Sequence, residues 1–143
     1  MTTASASHGN PARPLREGLF QFDPPRLLGS RCAACGTAIF PARDFCPKCR
    51  AYGAQTSLPL SRQGTVFSYT VVYQAPGGRA TPYVLAYVDL EDDVRVLAQV
   101  EHPHDDVRVG MPVSLRLKHV GEDRGVPIVG YVFVADTAAK GTR

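Results

Sequence analysis

Two short stretches, Cys32-Ala33-Ala34-Cys35-Gly36 and Cys46-Pro47-Lys48-Cys49, hold the only four cysteines of the 143-residue chain. Each is a Cys-x-x-Cys turn, and ten residues lie between the two turns, from Gly36 to Phe45. Two such turns joined by a short hairpin can direct four thiolates at one centre, the tetrahedral environment that Zn²⁺ prefers. We therefore predict one structural zinc ion per chain, bound by Cys32, Cys35, Cys46 and Cys49. Four protein ligands close such a site to water and substrate.

Other uses of the four cysteines are weaker fits. Iron in a rubredoxin-like site remains an alternative, because its four ligands are the same. A thioredoxin-type redox pair needs a single Cys-x-x-Cys near a βαβ unit. Two disulfides are disfavoured because Met1–Asn10 lacks the apolar segment of a secretory signal. Reduced cysteines without an export signal predict a cytoplasmic protein.

Composition and charge exclude several functional classes. The chain is 44% hydrophobic and 20% charged, which is typical of a globular protein with one domain or two small modules. Its formal net charge is +3, and a zinc tetrathiolate adds about −2, so the holo protein is nearly neutral. Nucleic-acid binding is therefore disfavoured, because it calls for a dense basic surface. No apolar run reaches the roughly 18 residues that a membrane-spanning helix needs.

The second half of the chain has the two-residue periodicity of β-strands. Five strands are predicted, at Gly64–Tyr73, Tyr83–Leu90, Val94–His102, Val113–Val120 and Ile128–Val134. On the fourth strand, Val113, Leu115 and Leu117 are expected to face inward. Five antiparallel strands, with a long first strand and a sizeable loop after it, favour an OB-type Greek-key barrel. An SH3-like barrel is the alternative from pattern alone.

The segments before and after the cysteines are less regular. Leu15 and Leu19 lie four residues apart, which predicts one short helical face, and Pro24 ends it. The apolar residues from Leu15 to Leu28 are expected to pack on the ribbon or to dock on a partner. We read Ala51–Arg62 as a linker. The predicted organisation is an N-terminal tail and docking segment at 1–28, a zinc ribbon at 29–54, a barrel at 60–136 and a tail at 137–143.

The sequence holds few groups that could perform catalysis. We find no nucleophile elbow, P-loop or Rossmann glycine motif. All four cysteines are assigned to the metal, and His102, His104 and His119 read as loop or strand-end residues. We therefore expect no catalytic residues in this chain.

Several motifs together resemble a known family. The second turn has the form Cys-Pro-x-Cys, and Phe40-Pro41-Ala42-Arg43 precedes it. Further matches are Gly64–Val72, Thr81–Val84 and Val109–Val113, in the family's order. The chain is thus identified as a member of the acyl-CoA-associated family with a rubredoxin-like zinc ribbon and an OB-fold. The likeness covers about Leu15 to Val134.

The resemblance implies a function that composition does not reveal. Members of this family partner thiolase-like enzymes that make or cleave carbon–carbon bonds in acyl-CoA thioesters, and the partner carries the catalytic residues. This chain is then expected to be a non-catalytic subunit of a hetero-oligomer, possessing two copies of each chain, with acyl-CoA at or near the interface. Its best-placed cations for CoA phosphates are Arg43, Lys48 and Arg79. The alternative is a module for single-stranded nucleic acid, with Phe67 and Tyr69 as its stacking platform.

Overall fold

A computed structural model describes residues 12–136 of the chain. Within this range the regular secondary structure is β-strand apart from a short 3₁₀ turn at His104–Asp106. The strands are β1 (Arg13–Pro14), β2 (Phe20–Phe22), β3 (Pro25–Cys32), β4 (Ala38–Ile39), β5 (Gln55–Pro59), β6 (Gln63–Val72), β7 (Tyr83–Leu90), β8 (Arg95–Glu101), β9 (Pro112–Asp123) and β10 (Val126–Ala135). Residues 12–136 contain no helix that is long and apolar enough to cross a membrane. The predicted tail at 137–143, and most of the predicted N-terminal tail, lie outside the described residues.

Strands β6 to β10 form a closed five-stranded barrel in the order β9–β6–β7–β8–β10, and β10 also pairs with β9. The predicted mainly-β fold, a ribbon followed by an OB-type barrel, is confirmed. The expectation of five antiparallel strands is wrong for one pair, because β8 and β10 run parallel at Val100 and Phe133. Strands of alternating direction cannot close a ring with an odd number of members, so one parallel pair is unavoidable.

Inward-facing residues of the barrel strands form its core. On β9, Val113 and Leu115 are buried and Leu117 packs against the core, as the alternation predicts. On β6 the alternation is broken, because the register shifts between Val66 and Ser68. Phe67 occupies this bulge, which exposes its ring and interrupts the face that the sequence pattern assigned to it.

Strand β3 is the centre of the N-terminal sheet. It pairs with β2 and β4 and, over Leu28–Cys32, with β5. The helical face predicted from Leu15 and Leu19 is wrong: Phe20–Phe22 is a strand, Leu19 is buried and Leu15 is exposed. The linker predicted at Ala51–Arg62 is also wrong in part, because it contains β5.

The ribbon and the barrel share one hydrophobic core. Leu27 of β3 and Leu60, which follows β5, are fully buried. Both belong to the same cluster as the barrel residues Val66 and Phe133. Strand β3 also runs through the boundary that the sequence places between residues 28 and 29. Because of this shared core, a distortion of the sheet that carries the first cysteine turn should be transmitted to the barrel.

Candidate metal centre

The two cysteine turns have the same local geometry. In the first, the Gly36 N–H donates to the Cys32 carbonyl at 2.7 Å; in the second, the Arg50 N–H donates to the Cys46 carbonyl at 2.8 Å. The residue after each second cysteine has a positive φ, 82° at Gly36 and 69° at Arg50. Glycine adopts this conformation without strain, whereas arginine does so at some cost. The tight turns direct both sulfurs of each pair to the same side.

The four sulfurs converge on one point. All Sγ atoms of Cys32, Cys35, Cys46 and Cys49 lie within 4.8 Å of one another. Two distances between the turns, Cys32 to Cys49 and Cys35 to Cys46, are 3.6 Å. In a regular tetrahedron with Zn–S bonds of about 2.3 Å, neighbouring sulfurs lie about 3.8 Å apart. The chain therefore places four sulfur ligands to hold one metal ion, and their number, type and spacing fit zinc.

One cysteine from each turn is buried, and the other is exposed. Cys32 and Cys46 are buried, whereas Cys35 and Cys49 face solvent. Cys32 anchors the first turn to the sheet, because it is the last residue of β3. A metal ion can reach the cluster from the exposed side, and four bound thiolates would then leave no open coordination position.

Hydrogen bonds and desolvation separate the pKa values of the Cys35, Cys46 and Cys49 thiols. The hydroxyl and the backbone of Thr37 lower the pKa of Cys35 to about 6. The Cys49 backbone lowers the pKa of Cys46. At Cys49 the Ala51 backbone acts to lower the pKa, but desolvation and the neighbouring sulfurs together raise it to about 12. The Cys49 thiol thus keeps its proton at neutral pH without a metal, and a divalent cation displaces that proton on binding.

Arg31 and Gln55 are residues near the metal centre that sequence reasoning missed. The Arg31 guanidinium donates to the Gly36 carbonyl at 2.7 Å, so it supports the first turn and brings positive charge to the cluster. Gln55, the ladder partner of Cys32, has both amide atoms buried with no hydrogen-bond partner in the described chain. The position of Arg31 directly before a cysteine was a usable signal. Gln55 gave none, because it lay in an apparent linker.

The predicted phosphate-binding cations do not line a common cavity. Arg43 borders a cavity of about 360 Å³ in the ribbon, together with Ser30 and Gln55. Arg79 borders a different cavity, on the barrel. Lys48 is exposed on the second cysteine turn. Arg43 and Arg79 therefore border two different cavities of the described residues.

The aromatic residues that a nucleic-acid module would use are already engaged or only partly exposed. The Arg95 guanidinium lies 3.4 Å from the centroid of the Phe67 ring and also forms an ion pair with Asp89. Tyr69 is only about two-fifths exposed. One face of Phe67 is therefore covered within the chain.

Family models match most of the two modules. Residues 22–51 match the model described as "ChsH2, rubredoxin-like zinc ribbon domain". Residues 58–118 match "ChsH2, C-terminal OB-fold domain". The two matches fall on the cysteine sheet and on most of the barrel, in the order in which the chain folds.

Three curated relatives are similar to this chain over about three quarters of their length. A "DUF35 domain-containing scaffold protein" of Methanocaldococcus jannaschii is 42% identical over 113 residues, covering 75% of this chain and 79% of the relative. A "Benzoylsuccinyl-CoA thiolase subunit BbsA" of Thauera aromatica is 36% identical over 111 residues, covering 76% of each chain. The BbsA subunit of Geobacter metallireducens is 38% identical, covering 76% of this chain and 74% of the relative.

A solved structure has the same fold. A chain of the "Ltp2-ChsH2(DUF35) aldolase" superposes with a TM-score of 0.61 and 29% sequence identity. The match covers 77% of this chain and 84% of the other.

Proposed function

The chain belongs to the family of ChsH2-type zinc-ribbon and OB-fold proteins, and from this we propose that it is a non-catalytic subunit of an enzyme complex acting on acyl-CoA thioesters. The observation that carries the proposal is its similarity, over three quarters of both chains, to subunits of benzoylsuccinyl-CoA thiolase. The likeness to a chain of an aldolase complex supports it independently. The proposed partner is a thiolase-like subunit that makes or cleaves a carbon–carbon bond.

We propose that the four cysteines hold a structural zinc ion. Zinc supplies no Lewis acid chemistry in a site closed by four thiolates, so its role is to fix the two turns against each other. Arg31 supports the first turn through its bond to Gly36, and Cys32 joins that turn to β3. Because the ribbon shares its core with the barrel, the metal would keep both modules in the shape that the partner recognises.

The finer parts of the proposal concern the ligand and the assembly. A thiolase-like partner with two-fold symmetry would bind two small subunits, giving two copies of each chain. Guanidinium and ammonium groups bind phosphate oxygens, so three cations are candidates for contact with CoA phosphates: Arg43, Lys48 and Arg79. The one that makes the contact would be the one on the surface that faces the acyl-CoA entrance. Since Arg43 and Arg79 border different cavities, we expect that only one of them does so.

The direct test is affinity purification of the tagged full chain from its native host. We expect a thiolase-like subunit in near-equal amount, one zinc ion per small chain, and acyl-CoA cleavage or condensation by the purified pair. The proposal is wrong if the chain is recovered alone or with nucleic acid. A Cys32→Ser variant, which removes one ligand of the metal, should recover less of the partner than an exposed Ser57→Ala control.

A further inference from the structure

The seam that closes the barrel between β8 and β10 is paired at one end only. On one edge of β10, Ile128–Val129 pairs with β1 and Phe133–Val134 pairs with β8. Tyr131, between these two pairings, has no ladder partner on that edge among the described residues. On β8, pairing with β10 is confined to Val100 and Glu101. The two strands therefore separate and leave a slot, bounded by a strand edge on each side.

Main-chain groups face this slot. The Val129 carbonyl accepts a hydrogen bond from the Leu15 N–H at 2.7 Å, so Val129 directs its backbone toward the β1 side of β10. Successive strand residues alternate in direction, so the backbone of Tyr131 points to the same edge. Across the slot, the Leu97 carbonyl accepts from the Tyr131 hydroxyl at 3.3 Å. A side chain thus bridges the gap where a backbone ladder would otherwise continue.

The slot opens into a cavity on the barrel with a volume of about 620 Å³. Its walls are mainly aliphatic, and three of the side chains that line it are unusually exposed: Leu15 at 60%, Leu97 at 49% and Val120 at 49%. Single exposed aliphatic residues are ordinary, but three around one cavity form a continuous apolar surface. Such a surface favours an apolar occupant.

The charged residues that line the cavity are positive. Arg79 and Lys118 line it, and no carboxylate lines it among residues 12–136. Arg79 donates to the Gln99 side chain at 2.9 Å and lies over the Tyr83 ring, which orients its guanidinium and leaves other donors available. Lys118 forms an ion pair with Glu101, outside the cavity lining. An occupant with a negative charge is therefore favoured at the Arg79 end.

We propose that this slot binds an extended segment of the catalytic partner, with apolar side chains on the Leu97 wall and a carboxylate against Arg79. The inference rests on the proposed function and specifies where the two subunits meet. The segment would add as a short strand, using the free edge at Tyr131 for main-chain hydrogen bonds. These strand edges favour a peptide over an acyl-CoA, because a peptide offers a main-chain donor or acceptor at every residue, whereas the pantetheine arm of CoA has two amides and the acyl chain has none.

The first test compares Leu97→Asp with Tyr87→Asp. Leu97 and Tyr87 are ladder partners on adjacent strands, are about half exposed, and receive the same new charge, but only Leu97 lines the cavity. Titrating each purified small chain against the catalytic subunit that co-purifies with wild type, we expect at least tenfold weaker binding for Leu97→Asp. Tyr87→Asp should bind within about twofold of wild type. Equal binding by wild type and both variants would overturn the proposal that the slot binds the partner, and it would leave the proposed function intact.

A second readout reports on the backbone directly. In the complex, hydrogen exchange of the Tyr131 amide should slow at least tenfold, whereas an unchanged rate would overturn strand addition. Arg79→Glu should weaken binding at least tenfold and Arg79→Lys much less; equal effects would overturn the carboxylate contact. Slowed Tyr131 exchange with acyl-CoA alone or single-stranded DNA alone would assign the slot to that ligand and overturn the inference. If wild type recovers no thiolase-like subunit at all, the proposed function fails and the inference fails with it.

Discussion

Substitution of Gly29 by alanine should damage the metal centre through the backbone, without touching a metal ligand. A Cβ at Gly29 would lie 2.4 Å from the carbonyl oxygen of Ile39 and 3.3 Å from Cδ1 of Leu60. Real Cβ contacts essentially never fall below 3.0 Å, so β3 and β4 must move apart by about 0.6 Å at that point. The movement displaces the strand next to the first cysteine turn and the buried leucine that joins ribbon to barrel.

The expected cost is about 1–3 kcal/mol, the usual range for overpacking a tight site. That is a large fraction of the roughly 5–15 kcal/mol by which domains are stable. The measurement is urea unfolding of the zinc-loaded protein by circular dichroism, with zinc transfer to a chromogenic chelator followed in parallel. Gly29→Ala should lower the urea midpoint and speed zinc release.

Two other glycines provide matched controls. At Gly121 a Cβ meets nothing within 4 Å, so Gly121→Ala should be neutral or stabilising by up to about 1 kcal/mol. At Gly64 a Cβ would lie 2.5 Å from the Asp89 carbonyl oxygen in the barrel, so Gly64→Ala should cost stability with less effect on zinc release. The reasoning is refuted if Gly29→Ala and Gly121→Ala unfold within 0.5 kcal/mol of each other and release zinc at the same rate.

Three further predictions follow from the metal site and one ion pair. Cys46→Ser should reduce bound zinc to well below one per chain in metal analysis of the purified protein, and it should abolish recovery of the partner in affinity purification. A variant that is fully loaded with zinc and still recovers the partner would contradict a structural role for zinc. Zinc affinity should fall as pH falls, because Cys49, with its pKa raised to about 12, loses its proton on binding. The fall should steepen below about pH 6, where Cys35 is also protonated. The measurement is zinc affinity by chelator competition across pH 5.5–7.5, and an affinity that does not change with pH would contradict the prediction. The Lys118 hydrogen bond, together with nearby positive charge, lowers the pKa of Glu101, so this stabilisation is present above the unfolded value of about 4.3 and is lost as pH falls through the lower folded value. Lys118→Met should therefore cost up to about 1 kcal/mol in urea unfolding at pH 7, and less on a Glu101→Gln background, which removes the carboxylate charge as protonation does; an equal cost on both backgrounds would contradict the pairing.

The features that the sequence predicts well are those set by local spacing. The two Cys-x-x-Cys turns identify four sulfur positions, and these sulfurs do converge. Period-two alternation locates the barrel strands, and Tyr83–Leu90 has the predicted bounds. Turn chemistry and strand alternation act over a few residues, so they are visible without knowledge of the tertiary structure.

The features that the sequence misses depend on contacts between distant segments. Gln55–Pro59 has little strand character of its own and is a strand because β3 pairs with it. The Leu15–Leu19 spacing fits a helix turn, but Leu15 bonds to Val129 and Phe20 pairs with Leu27, so the residues between them form a tight turn. The slot beside Tyr131 arises where two strands separate, and no local pattern marks that point.

The measurement that tests the central claim most directly is native mass spectrometry of the complex purified through the tagged chain from its native host. The account predicts a complex with equal numbers of this chain and a thiolase-like subunit, and one zinc ion for each copy of this chain. Recovery of this chain alone, with nucleic acid, or with iron in place of zinc would contradict it.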